Sequence, residues 1–150
     1  MTAAGSSALE TRNAAALGFA TQLLIGCERR GFRIASLWAF LWPAIRLNQI
    51  AFSYNSVGRP IAFVTWAFLT ETVSAEVERD CDRLLHLDEW NEGADLWIMD
   101  VVAPCGGAAA LLRQVARDRF TRHNRIRAVR RLATGEFVKM IDIRRDLPNS

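Results

Sequence analysis

Leu96-Trp-Ile-Met-Asp-Val-Val-Ala-Pro-Cys-Gly-Gly107 is a short apolar run broken by one carboxylate and closed by two glycines. Such a run, bounded by turn residues, reads as a central strand over Leu96–Val102. Asp100 in its middle needs a reason, because an unpaired charge inside a sheet is costly. Gly106-Gly107 then opens a helix predicted over Ala108–Phe120. Upstream, Ile50–Tyr54 and Pro60–Leu69 alternate and are rich in aromatic and β-branched residues. Asn55-Ser-Val-Gly58 supplies the turn between them, so the pair reads as a β-hairpin. Leu9–Ile25 and Ala35–Asn48 carry helical patterns, the second kinked or restarted at Pro43. Thr70 caps a helix predicted to run through Val73, Val77 and Leu84. Arg125–Leu132 and Glu136–Ile143 read as two strands joined by Ala133-Thr-Gly135. The expected fold class is α+β, with a central, mostly antiparallel sheet flanked by helices. One domain over residues 1–150 is expected, with residues 1–8 disordered.

The bulk properties exclude several classes. The chain has 150 residues, enough for one domain with a sizeable core. The longest apolar stretch, Ile34–Ile45, is cut by Pro43 and is too short to span a bilayer. Residues 1–8 lack the basic region and apolar core of a secretory signal, so the cytoplasm is expected. Cys27, Cys81 and Cys105 are odd in number and irregularly spaced, which argues against a disulfide framework or a zinc site. His86 and His123 have no ligand spacing, so no metal is expected.

The net charge is a modest +3 but unevenly spread. Arg113, Arg117, Arg119, Arg122, Arg125, Arg127, Arg130 and Arg131 crowd one stretch, opposed only by Asp118. A solvated face ranks first for this cluster. Docking of an acidic carrier protein ranks second. Nucleic acid ranks a distant third, because no recognition motif and few stacking aromatics accompany the arginines.

Two motifs in order, Trp42-Pro-Ala-Ile-Arg-Leu-Asn-Gln49 and Leu96-Trp-Ile-Met-Asp-Val-Val-Ala-Pro104, bracket a hairpin ending Val64-Thr-Trp-Ala-Phe-Leu69. Together they resemble the RTX toxin-activating lysine acyltransferases of the haemolysin-activating type. The resemblance covers roughly Leu17–Gly107. It implies a GNAT-like acyltransferase fold and transfer of a fatty acyl group from acyl carrier protein to a lysine or other amine of a protein or peptide. Acyl carrier protein would be the donor, with no bound cofactor, and an RTX-type toxin or a peptide precursor the acceptor. A homodimer is expected on the same ground.

The resemblance puts Asp100 where the family keeps its catalytic aspartate, which works with a histidine on the attacking amine. Arg29 or Arg30 stands nearest that histidine's place, and a guanidinium cannot act as a base near neutral pH. Cys27 lies shortly before it. A thiol beside several arginines gains thiolate character, so Cys27 is a candidate to carry the acyl group as a thioester. The other reading of Cys27 is a small apolar residue at a helix end. A cysteine hydrolase on the same scaffold is the alternative function, and it needs His86 or His123 at Cys27. A non-catalytic binding protein is a third reading.

Arg46 and Asn48 are read as supports that orient a carboxylate such as Asp100. An ion pair of Asp100 with Arg46 is the purely structural explanation for the buried charge. Cys105, at the end of the strand, is read first as packed in the turn, and with Gly106 it is a candidate to touch an acyl or pantetheine group. Cys81, between Asp80 and Asp82, is read as inert, and Trp66, Trp90 and Trp97 as core.

Overall fold

The computed structural model describes residues 3–27, 33–131 and 137–142, with side chains for 5–27 and 33–128. Its elements are α1 (Ala3–Ile25), α2 (Ile34–Phe40), α3 (Trp42–Arg46), β1 (Ile50–Tyr54), β2 (Pro60–Leu69), α4 (Glu71–Arg79), β3 (Asp95–Val102), α5 (Ala108–Arg119), β4 (Arg127–Arg131) and β5 (Phe137–Asp142). They form an α+β domain around one five-stranded sheet in the order β1-β2-β3-β4-β5. Three neighbour pairs are antiparallel, and β3 with β4 is parallel. The crossover through α5 makes that parallel pair possible.

The hairpin β1–β2 has the boundaries its alternation predicts. Even-numbered residues of β2 face one side, where Ala62, Val64 and Trp66 pack with Leu96 and Ile98 against Leu111 and Val115 of α5. Odd-numbered residues face the other side. There Phe63 packs with Val102 against Ala20 and Leu24 of α1 and Ile45 of α3. Further along the same face, Ala67 and Leu69 pack with Trp97 against Val73 and Val77 of α4. Trp66, Trp90 and Trp97 are all buried, as core tryptophans should be.

The largest departures from the sequence pattern are at the start of α1 and the end of α4. α1 begins at Ala3 rather than Leu9, so the helix runs through residues expected to be disordered. Residues 5–12 are all exposed, so this stretch of the helix is not held by packing. α4 stops at Arg79 and leaves Leu84 outside it and 54% exposed. The cause is local: the Asp80 carboxylate accepts the N–H of Asp82 at 3.1 Å, a turn that competes with the helix. At the other end Thr70 caps α4 as expected, its hydroxyl accepting from the Val73 N–H at 3.3 Å.

Pro43 sits in the first turn of α3, so the helical pattern restarts there instead of kinking. The turn residues 133–135 and the loop residues 28–31 lie outside the described residues.

Candidate active site

The two ends of β3 are built differently. At its start, Trp97 pairs with Arg127 and Ile98 with Ala128 of β4. There the ladder stops, and among the described residues nothing of β4 pairs with β3 beyond Ile98. The register with β2 also breaks at this point. Thr65 faces Asp100 and Trp66 faces Ile98, so Met99 is one residue too many. This is a β-bulge, a device that re-aims a side chain and ends a pairing. Asp100 follows it directly and is half-buried.

Thr65 is the β2 partner of Asp100 and is fully buried. Its hydroxyl has no hydrogen-bond partner among the described residues. A buried hydroxyl left so costs about 1–3 kcal/mol. The sequence reading passed over Thr65, since a threonine inside a strand is the ordinary case.

Beyond Val102 the chain turns sharply into α5. The Gly106 N–H donates to the Ala103 carbonyl at 3.0 Å. Gly106 and Gly107 have φ of 88° and 91°, in the left-handed region that favours glycine. Gly107 caps α5 without a side chain, so no capping side chain serves the first N–H groups of α5. Cys105 is exposed in this turn rather than packed.

The end of α1 meets the same turn. A Cβ on Gly26 would lie 3.9 Å from the Pro104 Cβ. Cys27 packs against the cluster that holds Val102. Its thiol donates to the Leu24 carbonyl at 3.1 Å. Arg29 and Arg30 lie outside the described residues.

The first motif has a structural job. Asn48 is in the left-handed region at φ 57°. The Asn48 N–H donates to Ile45 O at 3.1 Å and the Gln49 N–H to Ala44 O at 2.7 Å. These two bonds close α3 in a Schellman turn. Arg46 is exposed, and among the described residues no ion pair joins it to Asp100. The residue that reaches inward is Gln49, only 3% exposed. Its amide meets the Asn91 side chain at 3.0 Å. With its NH2 turned toward the Trp66 and Trp90 carbonyls it reaches both at 3.3 Å. Period-2 and period-3.6 patterns carry no signal for such a link, which joins residues far apart in sequence.

Neither histidine comes to Cys27. His123 packs its ring 5.4 Å from that of Phe68 and lines a cleft with Asp95 and Leu96. Leu96 is about 13 Å along β3 from Asp100 at ~3.3 Å per residue. Phe68 also belongs to the α5 face of the sheet, while Asp100 aligns with Thr65 on the other. His86 is exposed beyond α4, its N–H donating to Glu89 at 2.8 Å. The cysteine–histidine pair that a hydrolase needs is therefore not assembled. Among the described residues there is also no cluster of ligands for a metal ion. No helix among them is long and apolar enough to cross a membrane.

The arginine stretch does not form one patch. Arg127 is tied inward: its Nη1 donates to Glu78 at 2.7 Å and to Ser74 at 3.3 Å, and lies 3.7 Å from Asp95. Its guanidinium sits 5.7 Å from the Trp97 ring centroid. The Trp97 indole N–H also donates to Ser74. Arg117, Arg119 and Arg122 are exposed. Arg130 and Arg131 have no described side chains.

A profile of HlyC, the RTX toxin acyltransferase family, matches residues 9–144. The chain belongs to the RTX toxin acyltransferase family. The lysine-acyltransferase RtxC of Vibrio cholerae is 30% identical over 61% of this chain and 59% of its own length. The RTX-II toxin-activating lysine-acyltransferase ApxIIC of Actinobacillus pleuropneumoniae is 34% identical over 61% of this chain and 55% of its own. The leukotoxin-activating lysine-acyltransferase LtxC of Aggregatibacter actinomycetemcomitans is 29% identical over 59% and 52%. The chain thus spans little more than half the length of the relatives it matches. In this chain the bulge, Asp100 and the glycine turn lie together at one end of β3.

Proposed function

We propose that this chain is an acyltransferase that moves a fatty acyl group from the thioester of an acyl carrier protein to a lysine, or another amine, of a protein or peptide. The observation that carries the reading is the parting of β3 and β4 after Ile98, with Asp100 just past the bulge. Parting parallel strands leave backbone N–H and C=O groups of β3 open toward a crevice. A pantetheine arm is an extended chain of amides and can pair with such an edge. We read this as a GNAT-like arrangement, in which the first turn of α5 would meet the anionic part of the donor. The relatives' names supply the acceptor class, a lysine of an RTX toxin, and the cytoplasm is where the carrier would be met.

In the reaction the thioester C–S bond breaks and an amide C–N bond forms. The carrier thiol leaves with a proton and the attacking amine loses one. Asp100 orients the amine and takes that proton, as a general base within hydrogen-bond reach. Cys27 offers a second route, because the Gly26–Pro104 approach sets it beside the same turn. In that route the acyl group passes first to the thiol and then to the amine.

The test is acyl transfer from acyl-loaded carrier protein to a lysine-bearing acceptor, with intact-protein mass of the enzyme read in parallel. Asp100→Asn is expected to slow transfer by about 10²–10⁴-fold. Unimpaired transfer by that variant would sink the assignment. An acyl adduct on the enzyme that Cys27→Ala abolishes would make the route two-step. The absence of an adduct, with transfer intact, would make it direct.

A further inference from the structure

We infer that Thr65 is a positioning residue for this reaction, its hydroxyl donating a hydrogen bond to the Asp100 carboxylate during transfer. The inference rests on the proposed role of Asp100 and deepens it. Thr65 and Asp100 face each other across the β2–β3 ladder, next to the bulge. Facing residues of an antiparallel pair hold their Cβ atoms about 4.5–5.5 Å apart. The hydroxyl is one bond beyond its Cβ and the carboxylate oxygens two beyond theirs. Side-chain rotation alone brings them into hydrogen-bond range.

Three observations make this more than proximity. Thr65 is fully buried, so bulk solvent does not reach its hydroxyl. That hydroxyl has no partner among the described residues, although a strand interior would hold a valine in its place at lower cost. The residues around it are apolar: Ile50 is its partner on β1, and Phe63 and Ala67 are its same-face neighbours on β2. Asp100 is therefore the polar side chain that the register sets beside it. A carboxylate accepts several hydrogen bonds at once, so this donor adds to whatever else Asp100 binds. A fixed donor behind the carboxylate holds its other oxygen toward the crevice, where the amine arrives.

A purely structural threonine and a positioning threonine predict opposite results for the isosteric variant Thr65→Val. The positioning role predicts that kcat falls about tenfold to a hundredfold, the scale of a hydrogen bond to a charged group. KM for the acyl donor stays within about twofold, and the melting temperature holds or rises because an unsatisfied hydroxyl has gone. Thr65→Ser keeps the hydroxyl and restores most of kcat. Wild-type kcat in Thr65→Val overturns the inference, and so does a Thr65→Ser as slow as the valine variant. Asp100→Asn in the same assay separates the two levels. If it is slow while Thr65→Val is normal, only the role of Thr65 falls. If it is as fast as wild type, the reading of Asp100 falls and takes this inference with it.

Discussion

The two ends of β3 make the instructive comparison. At the Asp95 end the strand is paired along both edges, with β2 on one side and β4 on the other. β4 pairs with it, α4 covers it, and Arg127, Ser74 and Glu78 bolt the layers together around Trp97. At the Asp100 end it has lost its β4 partner, gained an extra residue and run into two left-handed glycines. The closed end spends its polar groups on one another. The open end carries a half-buried carboxylate, Asp100, and, across the ladder from it, a Thr65 hydroxyl with no partner among the described residues. One strand thus holds the fold at one end and presents the chemistry at the other.

The largest effect expected at the closed end comes from Gly93. A Cβ there would sit 1.8 Å from the Leu69 carbonyl oxygen. No side-chain adjustment relieves a clash with backbone, so Gly93→Ala is expected to cost more than about 4 kcal/mol. Soluble yield and denaturant melts check this, and a stable, soluble alanine variant would break the picture of a tightly closed end.

At the open end, Gly107→Ala meets no atom and suffers only its φ of 91°. The expected loss is about 1–2 kcal/mol, the cost of an L-residue in that region. Chemical denaturation measures it, and a loss as large as that of Gly93→Ala would show the turn to be packed rather than open. Smaller again is Thr70→Ala, which removes the cap of α4 for about 1 kcal/mol. Acyl transfer by the folded variant should be unchanged, because α4 serves the closed end.

The smallest effect is a pH dependence. Arg83 makes a two-pronged hydrogen bond to Glu89 at 2.7 and 2.9 Å. That bond holds the Glu89 carboxyl well below its usual 4.5, at about 2. A carboxyl lowered in the folded state stabilises it above the unfolded value and loses that contribution as pH falls. The contribution is therefore full above about pH 4.5 and fades toward pH 2. Glu89→Gln should be less stable than wild type at pH 7, with the gap closing between pH 4.5 and pH 2 in thermal melts. A gap that stayed constant with pH would show that the Glu89 charge does not carry this stability.

Much of the frame was legible in the sequence. Hairpin, central strand and glycine-opened helix each follow from local signals: period-2 alternation, a bounded apolar run and residues that tolerate positive φ. The position of Asp100 was legible for the same reason, since a charge inside an apolar run stands out. What escaped the sequence depends on contacts between distant segments. Arg46 looked like the support of the carboxylate, but the chain turns at Asn48 and leaves it in solvent. Gln49 had no role of its own in the sequence pattern and is buried. Arg127 looked like one arginine of a surface cluster and is a bolt between layers. The end of α4 was missed through one side chain, Asp80, which captures a backbone N–H that the helix needed.

The most direct test of this division of labour measures acyl transfer and melting together for Asp100→Asn and Arg127→Met. The predicted result is a crossing. Asp100→Asn loses transfer by about 10²–10⁴-fold with a melting temperature near that of wild type. Arg127→Met melts earlier, by about 1–3 kcal/mol for the polar groups left behind, yet transfers at the wild-type rate while folded. If Asp100→Asn lost only stability, or Arg127→Met lost transfer as severely, the two ends of β3 would not have separate roles and the assignment of the site would be wrong.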